Sequence, residues 1–236
     1  MNILAFDTSM KACSAAVLAG SASPSALFHT FEELERGHME RLVPMIEQVM
    51  EEAGLAYQDL DRIAVTTGPG TFTGVRIGLA CARALALAAN LPLVGATSLC
   101  VMASAVRDQL EALADGSHLD RPLAIAVDAR REQIYFQLFS SDLAPMTEPA
   151  ALTLEDAVNE LPQCAILAAG SASLCLAEIA DQSGRKVRAV AVKLQPDAAV
   201  LARLAQDLAP AQEPVRPLYL RNPDAKPQFD KVLPRR

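Results

Sequence analysis

Asp7-Thr8-Ser9 is the first point at which the chain gathers groups able to do chemistry. A carboxylate and two hydroxyls straight after the apolar run Ile3 to Phe6 form a set that can hold a nucleotide phosphate or its magnesium. The same side chains also suit a turn in which each bonds to local backbone, and by itself the triplet favours the turn. Gly68-Pro69-Gly70 stands in the order strand, glycine turn, helix, as a phosphate loop would. In detail it does not match: no GxxxxGK[ST] occurs, Val75-Arg76 follow Gly74, and GxGxxG fails at Thr73. Leu91 to Ala96 also lacks the acidic residue that a dinucleotide ribose needs. The run Ala168-Ala169-Gly170-Ser171-Ala172-Ser173 joins a strand to a helix through small residues. It could let a base or ribose lie against backbone, or simply bring helix and strand close. The candidates for nucleotide contact are therefore Asp7, Thr8, Ser9 and Gly170.

Other chemistries find less support. His29, His38 and His118 stand far apart without HxxxH or HExxH spacing, so no metal site follows from local sequence. Ser9, Ser98 and Ser171 lack the GxSxG context of a hydrolase elbow. Asp128 and Arg130 sit in a turn that either faces a cleft or forms an exposed ion pair, the second being the expectation. No constellation makes a complete catalytic site.

The elements that would position these groups alternate. Ile3 to Phe6, Ala12 to Leu18 and Ala26 to Phe31 read as three strands, followed by a helix from about His38 to Ala53 closed by Gly54. Pro44 is tolerable in a first turn, which places the regular helix start near Glu40 or Arg41. The apolar run Ile63 to Thr67 predicts a buried strand; Thr71 and Thr73 are possible caps for an alanine-rich helix reaching Asn90. Along it Gly74, Gly78, Ala82 and Ala86 recur every four residues, with Ala80, Ala84 and Ala88 as a second ladder. Two readings of the first ladder stand level: packing on the chain's own sheet, or a docking face for another protein. A strand Leu91 to Val94 and a helix capped by Thr97-Ser98 lead to a polar linker, Asp115 to Arg121. Strands Leu123 to Val127 and Gln133 to Phe139 open a second half. Helices near 153–159, 171–182 and 196–208 then alternate with strands near 165–167 and 187–190. Both halves start with paired strands, which points to a duplicated α/β architecture. The domains are read as 1–114, 115–216 and a basic, proline-rich tail, 217–236.

Composition narrows the class. Half of the 236 residues are hydrophobic but only 4% are aromatic, so the core is aliphatic. The five cysteines show no CxxC spacing and read as reduced thiols. The opening lacks a basic region and a signal peptide is not expected; no apolar stretch reaches a membrane span without charge or proline. A cytoplasmic protein is expected. Net charge is −7, yet residues 215–236 carry six basic against two acidic side chains, +4 locally, leaving −11 elsewhere. An acidic body argues against independent nucleic-acid binding. The tail either touches RNA or an acidic partner, or is a terminus kept soluble by charge, the last being the expectation.

ILAFDTS at the start, GHMERLVP at 37–44, GPGTFTGVRIGLACARALAL at 68–87, VDAR at 127–130 and PLYLR at 217–221 resemble the bacterial TsaB (YeaZ) family, across nearly the whole chain. The resemblance implies a two-lobed actin-like ATPase (ribonuclease H-like) fold, each lobe a mixed sheet with flanking helices. It implies a non-catalytic scaffold for the enzyme that attaches threonylcarbamoyl to the adenosine beside the tRNA anticodon. The catalytic paralogue of that family holds a metal through an HxxxH helix, whereas Val94 to Met102 here contains neither histidine nor carboxylate. No cofactor of its own is therefore expected, ATP and metal belonging to partner subunits. Those partners are a TsaD-type catalytic paralogue and a TsaE-type ATPase, with tRNA reached through the complex. The implied docking helices are 38–53 and 73–90, which pair with the same helices of the paralogue or, alone, of a second copy. The interface residues expected are Met39, Leu42, Val43, Ile46, Val49, Met50, Gly74, Val75, Gly78, Ala82 and Ala86. Rival readings are a peptidase or small-molecule kinase of the same fold, or an NAD-binding module.

Overall fold

Apolar runs in this chain are short and uninterrupted where a strand is covered on both faces, and periodic where a helix has one wet side. The computed structural model describes residues 1–20, 26–112, 120–190, 192, 194–210 and 213–221. Strands β1 (Ile3–Asp7), β2 (Ala12–Ala19) and β3 (Ala26–Glu33) form an antiparallel meander, then helix α1 (His38–Ala53) returns over it. β4 (Arg62–Thr66), α2 (Phe72–Ala89) and β5 (Leu93–Ala96) add two strands parallel to β1, giving the order β3-β2-β1-β4-β5. After α3 (Ser98–Ala112) the pattern repeats. β6 (Leu123–Asp128), β7 (Ile134–Phe139) and β8 (Ala150–Leu152) make a second meander, followed by α4 (Leu154–Asn159). β9 (Ile166–Ala169), α5 (Ser173–Gln182) and β10 (Val187–Ala189) complete the order β10-β9-β6-β7-β8. Read from the opposite edge, the second sheet is the first one again. The duplicated two-lobed α/β architecture expected from the alternation is the one observed.

Three cores stack through the molecule. One face of the first sheet packs against α1 and α2 through Leu4, Phe6, Leu42, Ile46, Val49, Val65, Val75 and Leu79. The outer face of the second sheet packs against α4 and α5. Between the sheets lies a shared core in which Ile3, Ala5, Leu99, Met102, Leu123, Ile125, Phe139 and Leu201 meet. The last helix, α6 (Ala198–Leu204), belongs to this middle layer and lies on β1 and β2 of the first sheet. Arg62 donates to the Ala205 and Leu208 carbonyls (both 2.7 Å) and so ties the end of α6 to β4. Residues 194–208 were expected with the second lobe; their alanine-rich surface instead fits the inner face of the first.

Two further expectations are corrected. α1 begins at His38, not at Glu40 or Arg41: Gly37 turns the chain with φ 94°, and the Arg41 N–H already bonds the Gly37 carbonyl at 3.1 Å. Pro44 therefore lies inside the helix, on an exposed side. Residues 217–221 do not start a separate tail. With 213–216 they form an extended strap across the first lobe, where the Leu218 N–H bonds the Thr67 carbonyl at 2.8 Å. Val215 seats beside Gly95, which has no side chain to obstruct it. The linker expected at 115–121 falls mostly, and residues 222–236 wholly, outside the described residues.

Candidate functional site

β1 delivers Asp7 to the centre of the first sheet's carboxyl end, the position where open α/β sheets hold ligands. Here that position is filled by the chain itself. Asp7, Thr8 and Ser9 are all buried. Asp7 Oδ1 accepts from the Ser9 N–H (3.1 Å), the Ser9 hydroxyl (2.6 Å) and the Thr66 hydroxyl. Thr8 donates to the Gly74 carbonyl at 2.7 Å, and Thr71 N–H bonds the Ser9 carbonyl at 2.7 Å. A Cβ at Gly70 would overlap the Ser9 carbonyl, one at Gly74 the Thr8 carbonyl, and one at Gly78 would stand 2.8 Å from Thr8 Oγ1. The glycines thus let the β4–α2 turn and the first turns of α2 rest directly on the Asp7-Thr8-Ser9 backbone. Tyr135 of the other lobe closes the remaining side, its hydroxyl donating to the Gly70 carbonyl at 3.4 Å.

Asp7 Oδ2 is buried without a hydrogen-bond partner. Burial pushes the Asp7 carboxyl up from 3.8 to about 6, against the lowering effect of Ser9 and Thr66, and Asp197 raises it further. An unpaired carboxylate oxygen is a feature of cation sites, so the donor set matters. No group of three His, Cys, Asp or Glu gathers among the described residues.

The repeat places a second hairpin, β6 to β7, in the equivalent position, with Asp128 where the first has Asp7. Its chemistry is opposite. Asp128 is exposed, and its Oδ1 accepts from the Arg130 N–H at 2.7 Å. Arg130, Arg131 and Glu132 follow in succession with φ of 63°, 53° and 60°. Left-handed backbone is uncommon for residues with a Cβ, and three in a row form a strained, projecting turn. Gly170, with φ 107°, lies so close to β6 that a Cβ would overlap the Ala126 carbonyl. Of the two readings of the small-residue run, close packing is what the geometry displays.

The expected interface residues separate into two groups. Leu42, Ile46, Val49, Met50, Gly74, Val75, Gly78, Ala82 and Ala86 are buried in the chain's own first core. For these nine the open-surface expectation is corrected: the glycine ladder is what allows α2 to lie on β1 and β4. Met39 and Val43 are exposed, at 72% and 49%. The other side of α2 is also open, showing Thr73, Ala80, Ala84, Leu87 and Ala88, with Leu87 85% exposed. On α1, Arg41 pairs with Glu32 of β3 along one flank, so Met39 and Val43 fall on the flank that faces α2. Half-buried Ile77, Cys81 and Leu85 join the two helices beneath. The result is an apolar face along the α1–α2 seam. α2 also has the length and hydropathy of a membrane span, a mean hydropathy of 1.4 over 18 residues. Its buried ladder makes it a layer of the first sheet, however, and that sheet would have to follow it into lipid.

A surface notch of about 210 Å³ is lined in part by Asp108, Gln195, Asp197 and Arg203. His29 pairs with Asp197, and Arg203 with Asp108, each at 2.9 Å. The strap was missed as a structural element because proline-rich, basic sequence carries no periodicity. Its anchors are visible only in three dimensions: Arg83 to the Val215 carbonyl (2.5 Å), Arg76 to the Tyr219 hydroxyl (2.7 Å), and Arg221 to the Ala129 carbonyl.

Comparison with known proteins agrees with this geometry. The family model described as TsaD, tRNA N6-adenosine threonylcarbamoyltransferase, matches residues 32–226. The chain is 30% identical to the Escherichia coli tRNA threonylcarbamoyladenosine biosynthesis protein TsaB, over 94% of this chain and 95% of that one. It is 35% identical to the Haemophilus influenzae protein of the same name over 58% of this chain, there spanning about half (52%) of the relative. Among solved structures, YeaZ from Pseudomonas aeruginosa superposes with a TM-score of 0.75 at 26% identity, covering 93% of this chain and 99% of that one.

Proposed function

The chain belongs to the TsaB (YeaZ) family, with an actin-like ATPase fold, and from that premise we propose that it serves tRNA threonylcarbamoyladenosine formation as a non-catalytic subunit. It acts in the cytoplasm by pairing with a TsaD-type paralogue, and with a second copy of itself when that paralogue is absent. A TsaE-type ATPase completes the assembly, and ATP and metal are used by those partners. The observation that carries this reading is the α1–α2 seam. It shows Met39, Val43, Thr73, Ala80, Ala84 and Leu87 to water, a small and apolar surface onto which a second helix pair can settle closely. The Asp7 loop supports the division of labour, since the chain's own backbone and Tyr135 occupy the place where the fold would otherwise take a ligand.

Reconstitution tests the reading. Unmodified tRNA is incubated with the purified chain, with the TsaD-type paralogue plus the ATPase, and with all three together. Threonylcarbamoyladenosine is expected only in the complete mixture. Turnover by the isolated chain, or full turnover without it, would refute the proposal.

A further inference from the structure

The strap runs along the flank of α2 opposite α1. Phe72, Arg76 and Arg83 point toward it, whereas Ile77, Cys81 and Leu85 pack toward α1. Phe72 and Tyr219 stand with ring centroids 5.2 Å apart, tilted by 31°, and are 46% and 43% exposed. The Arg76 guanidinium lies 3.5 Å from the centre of the Phe72 ring and 5.6 Å from that of Tyr219. The bonds that fix Arg76 and Arg83 run to a phenol and a carbonyl, neutral acceptors that leave the positive charge in place. Arg216 is exposed on the strap. Two residues beyond Tyr219, a step of at most about 7 Å, Arg221 bonds the Ala129 carbonyl and joins the strap to the strained turn that projects Arg130. Asp128 and Glu132 in that turn and Glu213 at the strap's start are acidic side chains on this route.

We propose that this strip, from Arg83 through Phe72, Arg76 and Tyr219 to Arg130, is a contact for RNA. An unpaired base stacks on Tyr219, whose ring is backed by Phe72 and Arg76, while the phosphates on either side follow Arg76, Arg216 and Arg130. Three features favour RNA over an acidic protein surface. Arg76 covers one face of Phe72, and the exposed Tyr219 ring beside it remains for a base. The cations are spread along a line, as a phosphate backbone requires, and are not gathered at one point. The rest of the molecule is acidic, so attraction for a polyanion is concentrated here and in the residues that follow Arg221, which add Lys226, Lys231, Arg235 and Arg236 against Asp224 and Asp230. The inference rests on the reading of this chain as a subunit of a tRNA-modifying assembly, because the RNA it names is that assembly's substrate.

The test measures fluorescence anisotropy of labelled unmodified tRNA against the complex of this chain with its TsaD-type paralogue, between about 50 and 200 mM salt. Tyr219→Ala is expected to weaken binding about tenfold. Arg130→Glu, which removes no anchor of the strap, is expected to weaken it and to flatten its salt dependence. Light scattering should find both variants still paired. Unchanged tRNA affinity in both variants would overturn the proposal. So would loss of pairing at unchanged tRNA affinity per complex, which would make the strip a protein interface. Failure of the wild-type mixture to modify tRNA would strike at the proposed function instead, and is read in a separate assay.

Discussion

The two sides of α2 are built from nearly the same residues and do opposite things. Gly74, Gly78, Ala82 and Ala86 lie against the first sheet, while Ala80, Ala84 and Ala88 lie open. What separates them is what lies above: Gly74 and Gly78 meet Thr8 directly, and Ala82 and Ala86, which carry a Cβ, are still covered by this chain. At Gly74 and Gly78 glycine is required, because Thr8 approaches within a distance no side chain would allow. On the outer side alanine suffices, because among the described residues none lies above it. Smallness inside serves the fold; smallness outside leaves a smooth apolar surface, the one proposed above to receive another helix.

Three substitutions probe that contrast, in order of decreasing effect on stability. Gly78→Leu forces a branched side chain into Thr8 and Val65. Overpacking against these two buried side chains costs about 3 kcal/mol, the upper end of the usual range, and the protein is expected to unfold at a much lower urea concentration. A folded Gly78→Leu monomer that merely fails to assemble would place this ladder at an interface after all.

Asp7→Asn comes second and depends on pH. The folded carboxyl titrates near 6 and the unfolded one near 3.8, so protonation favours the fold. That contribution is complete below about pH 4 and is lost as pH rises through 6. A shift of this size corresponds to something on the order of 3 kcal/mol. Wild-type stability is expected to fall between pH 4 and 7 relative to Asp7→Asn, in paired urea titrations. Parallel curves for the two proteins would mean that the carboxyl is already charged at pH 4 in the fold.

Ala84→Glu is the smallest of the three. The site is exposed in the isolated chain, and the midpoint of unfolding should stay within about 0.5 kcal/mol of wild type. A larger loss would mean that α2's outer face packs on the chain itself.

Much of the fold was legible because it is written in local pattern. The cap at Thr71, the stop at Gly54 and the strand–helix alternation each have a chemical cause within a few residues. β8 escaped notice because Ala150–Leu152 is too short for period-two alternation to register. The direction of the glycine ladder was also hidden. Spacing establishes that four small residues share one face, but which neighbour approaches them depends on residues about 66 positions away, as the Thr8–Gly74 bond shows. Of the candidate nucleotide contacts, the sequence identified a turn at Asp7-Thr8-Ser9 but not its burial, which is produced by Gly70 and Tyr135 together. The aromatic–arginine strip was beyond reach for the same reason, since Arg76 and Tyr219 are 143 residues apart.

The central claim is that the open ladder on α2, and not the buried one, receives another subunit. Light scattering of Ala84→Glu mixed with the TsaD-type paralogue tests it most directly, beside wild type at the same concentrations. The account predicts a heteromeric mass for wild type and two separate folded species for the variant. A heterodimer of undiminished affinity in the variant would contradict it.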